Sequence, residues 1–564
     1  MSLYPNRHRL ALFSLKPLNE QAKKVANHPY NQHLTSSLPD GTRVLDIGFQ
    51  VRSRSNRTLA TLGRGDADIF VDGPTIAKVQ CSFEIEPATN VVMLYDRSHG
   101  QTTQVFGDDA TPFEPGRLRQ VVVQKGLNSF LGMGGRAQNT VQFEFLWYQD
   151  FPEMVGLIKD RESIMNDCEE NPRLARTADD VETVLPSQMQ TRIHTAGPRQ
   201  LTMRYLKFGK LGSGQFAVVY KALDVDTGKF LAVKIIQRPE QASAQAAWEV
   251  SKYYALKREV EHLSRISHPH IVDFITSQGW EGPTAEIFMG LKDGTLESLV
   301  KGGVPDVESI AKRAFYQMLQ ALDCLAANGI VHRDVKPENI LYTVLPGMQY
   351  HFQLGDFGLS NRAIVAKSSV GTPLYMAPEV YEHGVQTHKM DVWSLFVTFA
   401  WVSDFDGFRQ NLHHFTSLPQ AREAILAMAS RIGAMQEMAR VNPDERASAA
   451  QILVKVYNGE GLTTQLNRIP PLTPTVVETR PEPQLQPEPM HQVRHRPTQG
   501  MPKFPKPHTS QFRVRKSSNP RGRIWEPNTT AARPGGNLPP TRRRRHPSNV
   551  EFLQGFRMRP PLNY

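Results

Sequence analysis

His332-Arg333-Asp334-Val335-Lys336-Pro337-Glu338-Asn339 sets four charged side chains, an imidazole and an amide around a single proline. Three polar residues in a loop are most often only solvated, so the stretch alone decides little. Its weight comes from the motifs ranged about it in the chain. Leu211-Gly212-Ser213-Gly214-Gln215-Phe216-Ala217-Val218-Val219 precedes Ala232-Val233-Lys234, with the lysine fifteen residues after Val219. Leu354-Gly355-Asp356-Phe357-Gly358, Ala377-Pro378-Glu379, Asp391-Val392-Trp393-Ser394 and Asn442-Pro443-Asp444-Glu445-Arg446 then follow in order.

In this order the motifs resemble those of the protein kinases, with Val335 where the catalytic loop commonly has Leu. The resemblance implies that Asp334 accepts the proton of the phosphate-accepting hydroxyl and that Asn339 and Asp356 hold magnesium. Lys336 brings a compact positive charge to the transferred phosphate, and a lysine there is similar to the serine/threonine branch. Leu211, Gly212, Gly214 and Val219 form the glycine-rich loop, whose glycines let backbone amides approach phosphates closely; Ala217 replaces its third glycine. Lys234 neutralises the α and β phosphates and needs a helical glutamate, expected as Glu259 with Glu261 as the alternative. Ala232, Met289 and Leu291 line the expected adenine pocket. Arg446 is expected to pair with Glu379, and Phe396, where the family usually has glycine, to be absorbed in packing. Arg333 resembles the arginine that receives a phosphate on the activation segment. Ser368 or Ser369 is the expected modified residue, and Thr372 is expected near the catalytic loop. With Lys234, Asp334 and Asp356 all present, the lesions of a silent pseudokinase are absent.

Upstream, short alternating strands broken by Gly, Asp and Asn predict an antiparallel sandwich: RVLDIGFQV, RTLATLGRG, VQCSFEIE, NVVMLYDRS, RQVVVQKG and VQFEFLWYQ, from 43 to 149. Leu62-Gly63-Arg64, Cys81 to Ile85 and Asp96-Arg97-Ser98-His99-Gly100 resemble the forkhead-associated domains, which bind phosphothreonine. The resemblance assigns Arg64 to the phosphate, since a guanidinium forks onto its oxygens. The S-x-x-H positions read Ala77-Lys78-Val79-Gln80 and the asparagine position reads His99. Lys78 keeps a phosphate-compatible charge, while each lost hydroxyl or amide contact is worth about 1 kcal/mol. A sandwich kept as a docking platform is the alternative.

The expected architecture is multidomain: an N-terminal extension at 1–42, an all-β sandwich at 43–150, a linker at 151–200 with a helix near 162–171, an α+β bilobal kinase fold at 201–460 and a disordered tail at 461–564. From 465 onward the chain holds 18 Lys/Arg against 5 Asp/Glu, so the net charge of +11 originates in the tail. That segment is rich in Pro, Gln and Arg and too poor in aliphatic residues to offset chain entropy. Arg542–Arg545 form a basic run suited to nuclear import or acidic partners, and nothing interleaves aromatic with basic residues for specific RNA recognition. Cys81, Cys168 and Cys324 form no CxxC pair, which argues against a disulfide scaffold or zinc site and for an intracellular setting, cytoplasmic or nuclear. The longest apolar run, from 392 to 402, is half of the ~20 residues that span a bilayer. The expected cofactors are ATP and Mg2+. Protein substrates and phosphothreonine-containing proteins are the expected partners, and the overall resemblance is to calmodulin-dependent and checkpoint-type kinases.

Overall fold

The computed structural model describes residues 7–53, 55–161, 201–213, 217–238, 253–254, 256–258, 260–356, 372–382, 384–415, 417–433 and 435–472. The tail beyond 472, the expected helix near 162–171, Cys168, Gly214, Glu259, Ser368 and Ser369 lie outside the described residues.

The amino-terminal part is a two-sheet sandwich. Its strands are β1 (Ala11–Pro17), β2 (Thr35–Ser37), β3 (Arg43–Gly48), β4 (Thr58–Gly63), β5 (Ile69–Phe70), β6 (Cys81–Ile85), β7 (Val92–Asp96), β8 (Thr103–Phe106), β9 (Gln120–Val122), β10 (Phe130–Met133) and β11 (Val141–Trp147). One sheet runs β2-β3-β1-β11-β10-β8 and the other β5-β4-β6-β7-β9. Inward-facing aromatics close the gap between them. Phe13 meets Phe83 across the sheets edge to face, with centroids 5.1 Å apart.

Two expected boundaries move. Strand β1, set aside as part of an extension, sits between β3 and β11, with Phe13 opposite both Ile47 and Trp147. Five of its seven residues in a row are buried, so it lacks the period-2 alternation that marks a half-buried strand. The module therefore begins near residue 10. At its other end the helix Phe151–Lys159, expected as linker, buries Met154 and Ile158 in the sandwich core.

The next lobe along the chain is an antiparallel sheet, β12 (Tyr205–Ser213), β13 (Ala217–Asp224), β14 (Phe230–Gln237), β15 (Phe274–Gln278) and β16 (Thr284–Gly290), in the order β12-β13-β14-β16-β15. Below it, β17 (Gly294–Thr295), β18 (Ile340–Leu345) and β19 (Gln349–Leu354) form a small sheet on a helical lobe. The helix Val307–Ala327, started by Asp306 accepting from the Ser309 amide, packs on Lys389–Ser403 through Phe315 and Phe399. Helix Lys389–Ser403 is buried on every side from Met390 to Val402, as befits a central helix that is apolar all round. Phe396 is fully buried within it.

The helical lobe also continues past the expected limit of 460. Asp323 is almost wholly buried and accepts from the amides of Thr463 and Thr464 at 2.7 and 2.9 Å and from Thr464 Oγ1 at 2.6 Å. Gln451 Nε2 donates to the Pro470 carbonyl at 2.9 Å. A buried carboxylate without donors is costly, and it is this need that fixes residues 463–471 to the fold.

Candidate active site

The loop that follows the helix Val307–Ala327 is held from beneath by Asp391, in the buried helix. Its carboxylate accepts from the backbone N–H of His332 at 2.7 Å and of Arg333 at 2.8 Å, which stabilises the left-handed turn at Arg333, φ 70°. Burial pushes the Asp391 carboxyl up to about 7 against those two donors. His332 is fully buried. Its Nε2–H donates to the Gly355 carbonyl at 2.9 Å, while Nδ1 accepts from the Asp334 N–H at 3.3 Å. Both ring nitrogens are thus committed as a neutral imidazole commits them, in keeping with burial lowering its pKa. The ring is a strut and not an acid or base.

On this frame the polar residues converge. Asn339 Nδ2 donates to the Asp334 carbonyl at 2.7 Å and to Asp334 Oδ2 at 2.8 Å. Lys336 Nζ lies 2.9 Å from the same carboxylate oxygen. The Gly355 N–H donates to the Asn339 carbonyl at 2.9 Å, and Asp356 follows in the left-handed region, φ 60°. Lys234, buried on β14, ion-pairs with Asp356. Burial pushes the Asp356 carboxyl up, but the Lys234 ammonium outweighs it and the net shift is downward. The lobes are stitched at this point by Val272 N–H to Leu354 O and Leu354 N–H to His270 O, both 2.9 Å. Lys234, Asp334, Lys336, Asn339 and Asp356, scattered over a hundred residues, therefore share one cleft.

Around it, Ala232 is buried, Leu211 is exposed, Val219 is half-buried and pairs with Lys234 across the sheet, and Gly212 has open space where a Cβ would stand. Met289 ends β16 with Gly290, and Leu291 follows it. An apolar cavity behind Lys234 is lined by Leu256, Val260, Leu263, Ile271, Phe274 and Met289. Glu261 is exposed, so the alternative partner for Lys234 points to solvent with Arg258 and Arg265. The helical turn Thr372–Tyr375 follows the undescribed activation segment. Arg446 forks onto Glu379 at 2.7 and 2.9 Å, both residues buried.

One group escaped the sequence reading. Glu338 is raised by burial and by Glu297, and both carboxylates also push up the buried Tyr375 hydroxyl. Glu297, on the helix Leu296–Lys301, thus supplies a second acid near Glu338.

In the sandwich, the Arg64 amide donates to the Ala77 carbonyl at 3.0 Å and the Gly65 amide to Lys78 O at 3.1 Å. This brings the Arg64 and Lys78 loops together. Arg64, Lys78 and His99 are all exposed. Gln80, at the motif's histidine position, is fully buried. It donates to Thr102 Oγ1 at 3.0 Å and Thr103 Oγ1 at 2.9 Å and accepts from the Ala77 N–H at 2.9 Å. It braces the loops that carry the two cations.

Comparison with known proteins bears on this cleft. Residues 205–458 match the family described as protein kinase domain. Human serine/threonine-protein kinase DCLK2 is 30% identical over 262 residues, which are 44% of this chain and 33% of that protein. CBL-interacting serine/threonine-protein kinase 15 of Arabidopsis thaliana is 29% identical over 279 residues, 47% of this chain and 63% of the relative. Serine/threonine-protein kinase fused of Drosophila melanogaster is 33% identical over 199 residues, 34% and 23% respectively. The chain thus spans between 23% and 63% of the length of these relatives. A solved structure, Rad53 1-466 in complex with AMP-PNP, aligns over 73% of this chain and 95% of that chain at 19% identity, with a TM-score of 0.41. Residues 205–458 are a protein kinase domain.

Proposed function

We propose that the chain is a serine/threonine protein kinase that transfers the γ-phosphate of ATP to protein hydroxyls. The observation that carries this is the chain of bonds from Lys336 through Asp334 and Asn339 to Gly355, next to the Lys234–Asp356 pair. Asp334 accepts the substrate hydroxyl and orients its oxygen, and Lys336, already bonded to that carboxylate, faces the phosphate being moved. Lys234 releases Asp356 and takes up phosphate charge when the nucleotide enters.

The donor set fits magnesium. Asp356 keeps a lowered pKa, hence an ionised carboxylate, and its side chain is 42% exposed. Asn339 spends its amide N–H on Asp334 and leaves its carbonyl oxygen for a hard cation. Two such oxygens suit an ion that completes its octahedron with phosphate and water. Bound magnesium neutralises charge on the phosphate oxygens. Asp334→Asn is expected to lower phosphate transfer by about a hundredfold or more with nucleotide affinity nearly intact. Equal turnover in the two proteins, measured on a degenerate peptide library, would remove the mechanism.

Glu338 and Glu297 give this cleft an acidic wall. Glu338, whose carboxyl burial and the nearby Glu297 push up, is relieved by an arriving guanidinium, which favours substrates with arginine near the target residue. Glu297→Gln is expected to narrow the preference for arginine-containing over alanine-containing peptides severalfold.

A second reading of the sandwich is a phosphothreonine reader, because Arg64 and Lys78 are both exposed and the backbone bonds of Arg64 and Gly65 to Ala77 and Lys78 hold their loops together. Titrating phosphothreonine peptides against Arg64→Ala separates reader from platform: a fall of tenfold or more is expected of a reader, and unchanged affinity leaves a platform.

A further inference from the structure

The turn between β13 and β14, residues 224–229, lies outside the catalytic cleft and is built into the sandwich. Leu223 and Val225 are fully buried and belong to the sandwich's hydrophobic core, and Leu206, Phe208 and Phe230 pack against it. Phe208 meets Phe151 at 5.1 Å and Phe230 at 5.8 Å. The edge strand β9 is covered by this turn: the Val122 N–H donates to the Val225 carbonyl at 2.8 Å, and the Val225 N–H to Arg204 O at 3.0 Å. Gln120 Nε2 donates to Asp226 O at 2.8 Å and Thr89 Oγ1 to Gly228 O at 2.6 Å.

Charge closes the rim. Arg117 Nη1 lies 2.9 Å from Asp226 Oδ2, and Arg204 pairs with the other oxygen of the same carboxylate. Arg117 also donates to Thr202 O at 2.8 Å, and Arg204 to Pro112 O at 2.6 Å. All three side chains keep at most 15% of their surface exposed. Domains joined by a small polar contact move relative to one another by default, and a hydrophobic interface removes that freedom. The sandwich core here is incomplete without kinase residues.

We infer that the sandwich is an integral part of the nucleotide-binding lobe, its partner surface being the β13–β14 turn of the same chain, and that the two unfold as one cooperative unit. The contact follows the β9 edge and the turn between β6 and β7. Arg64, Lys78 and His99 stand at the opposite end of those two strands, where Cys81 faces Asp96 and not where Ile85 faces Val92. The recognition loops therefore stay open, and whatever they bind is carried at a fixed position relative to the kinase.

Hydrogen exchange read by mass spectrometry on the full chain tests this. Leu131, fully buried on β10, makes no part of the contact, and Leu131→Ala weakens the sandwich from within. One cooperative unit requires that segments 218–224 and 230–236 of the kinase lose protection together with 81–96, by a factor on the order of a hundred. Wild-type protection in the kinase segments with loss confined to the sandwich overturns the inference. A second pair of variants works from the other side. Gly228, φ +68°, would place a Cβ 2.7 Å from Met93 Sδ and 3.0 Å from Val91 Cγ2, whereas Gly41, φ +81°, has nothing within 4 Å. Both substitutions to alanine carry the same backbone strain, so only Gly228→Ala is expected to split the single denaturation transition in two. Identical profiles for Gly228→Ala and Gly41→Ala overturn the docking.

Discussion

Arg446 keeps 1% of its surface exposed, with its guanidinium forked onto Glu379 and its face 5.3 Å from the Trp393 ring. A buried pair of this kind adds little net stability over an apolar substitute, yet losing one partner leaves the other charged and alone. Arg446→Met is therefore expected to cost about 3–5 kcal/mol, measured as a fall in the urea midpoint, while Glu379→Gln with Arg446→Met together costs less than the sum of the two single substitutions. His270 shows a different balance. Burial lowers its pKa to about 4 while its Nδ1–H donates to the Phe352 carbonyl at 3.1 Å, and the ring of His268, edge to face, and that of His351, tilted, have centroids 5.6 and 5.0 Å away. The folded ring binds its proton more weakly than the unfolded chain, whose pKa is about 6.5. The stabilisation is whole above pH 6.5 and drains away as pH falls toward 4, by up to about 3 kcal/mol. Denaturant midpoints measured from pH 7.5 to 4.5 should fall more gently in His270→Gln than in the wild type.

Among the elements, the segment 463–471 carries a prediction that its composition hides. Ending the chain after residue 460 removes three donors from the buried Asp323 carboxylate. Charge-assisted hydrogen bonds contribute about 1.5–3 kcal/mol each, so that truncation should lower the melting temperature sharply, and one made after Leu472 should leave it nearly unchanged. The reason sequence alone misplaced this boundary is general to the fold. Proline and threonine between a helix and a polar tail read as linker, and the group that recruits them lies 140 residues earlier. The same holds for β1, whose burial on both faces erases alternation, and for β2, β5, β8 and β10, which have two to four residues each and are too short to show a period. That Lys234, Asp334, Asn339 and Asp356 belong together was legible because each sits in a short motif of fixed residue types, and the motifs follow in a fixed order along the chain. Glu297 was not, since its role depends on where a helix sets it against Glu338. Nor were Arg117, Arg204 and Asp226, whose partners are 22 and 109 residues apart.

For the molecule as a whole, charge is partitioned along the chain. Residues 473–564 contain 17 Lys/Arg against 5 Asp/Glu, while the sandwich and kinase together are close to neutral. Neutral bodies feel little long-range attraction, whereas a segment of one sign raises association rates with opposite partners and makes them steeply salt-dependent. If the tail acts electrostatically, its contribution vanishes above a few hundred millimolar salt, where the screening length falls to a few ångströms. Full-length protein is thus expected to be retained on a cation exchanger at about 0.15 M salt, a condition with a screening length near 8 Å, and protein ending at Leu472 to flow through. On the proposed kinase reading both should phosphorylate a short peptide at the same rate, because among the described residues the partners that frame Lys234, Asp334 and Asp356 all precede 472. A matching loss of peptide phosphorylation in the shortened protein would mean that the tail acts on the catalytic cleft itself and not merely on the company the kinase keeps.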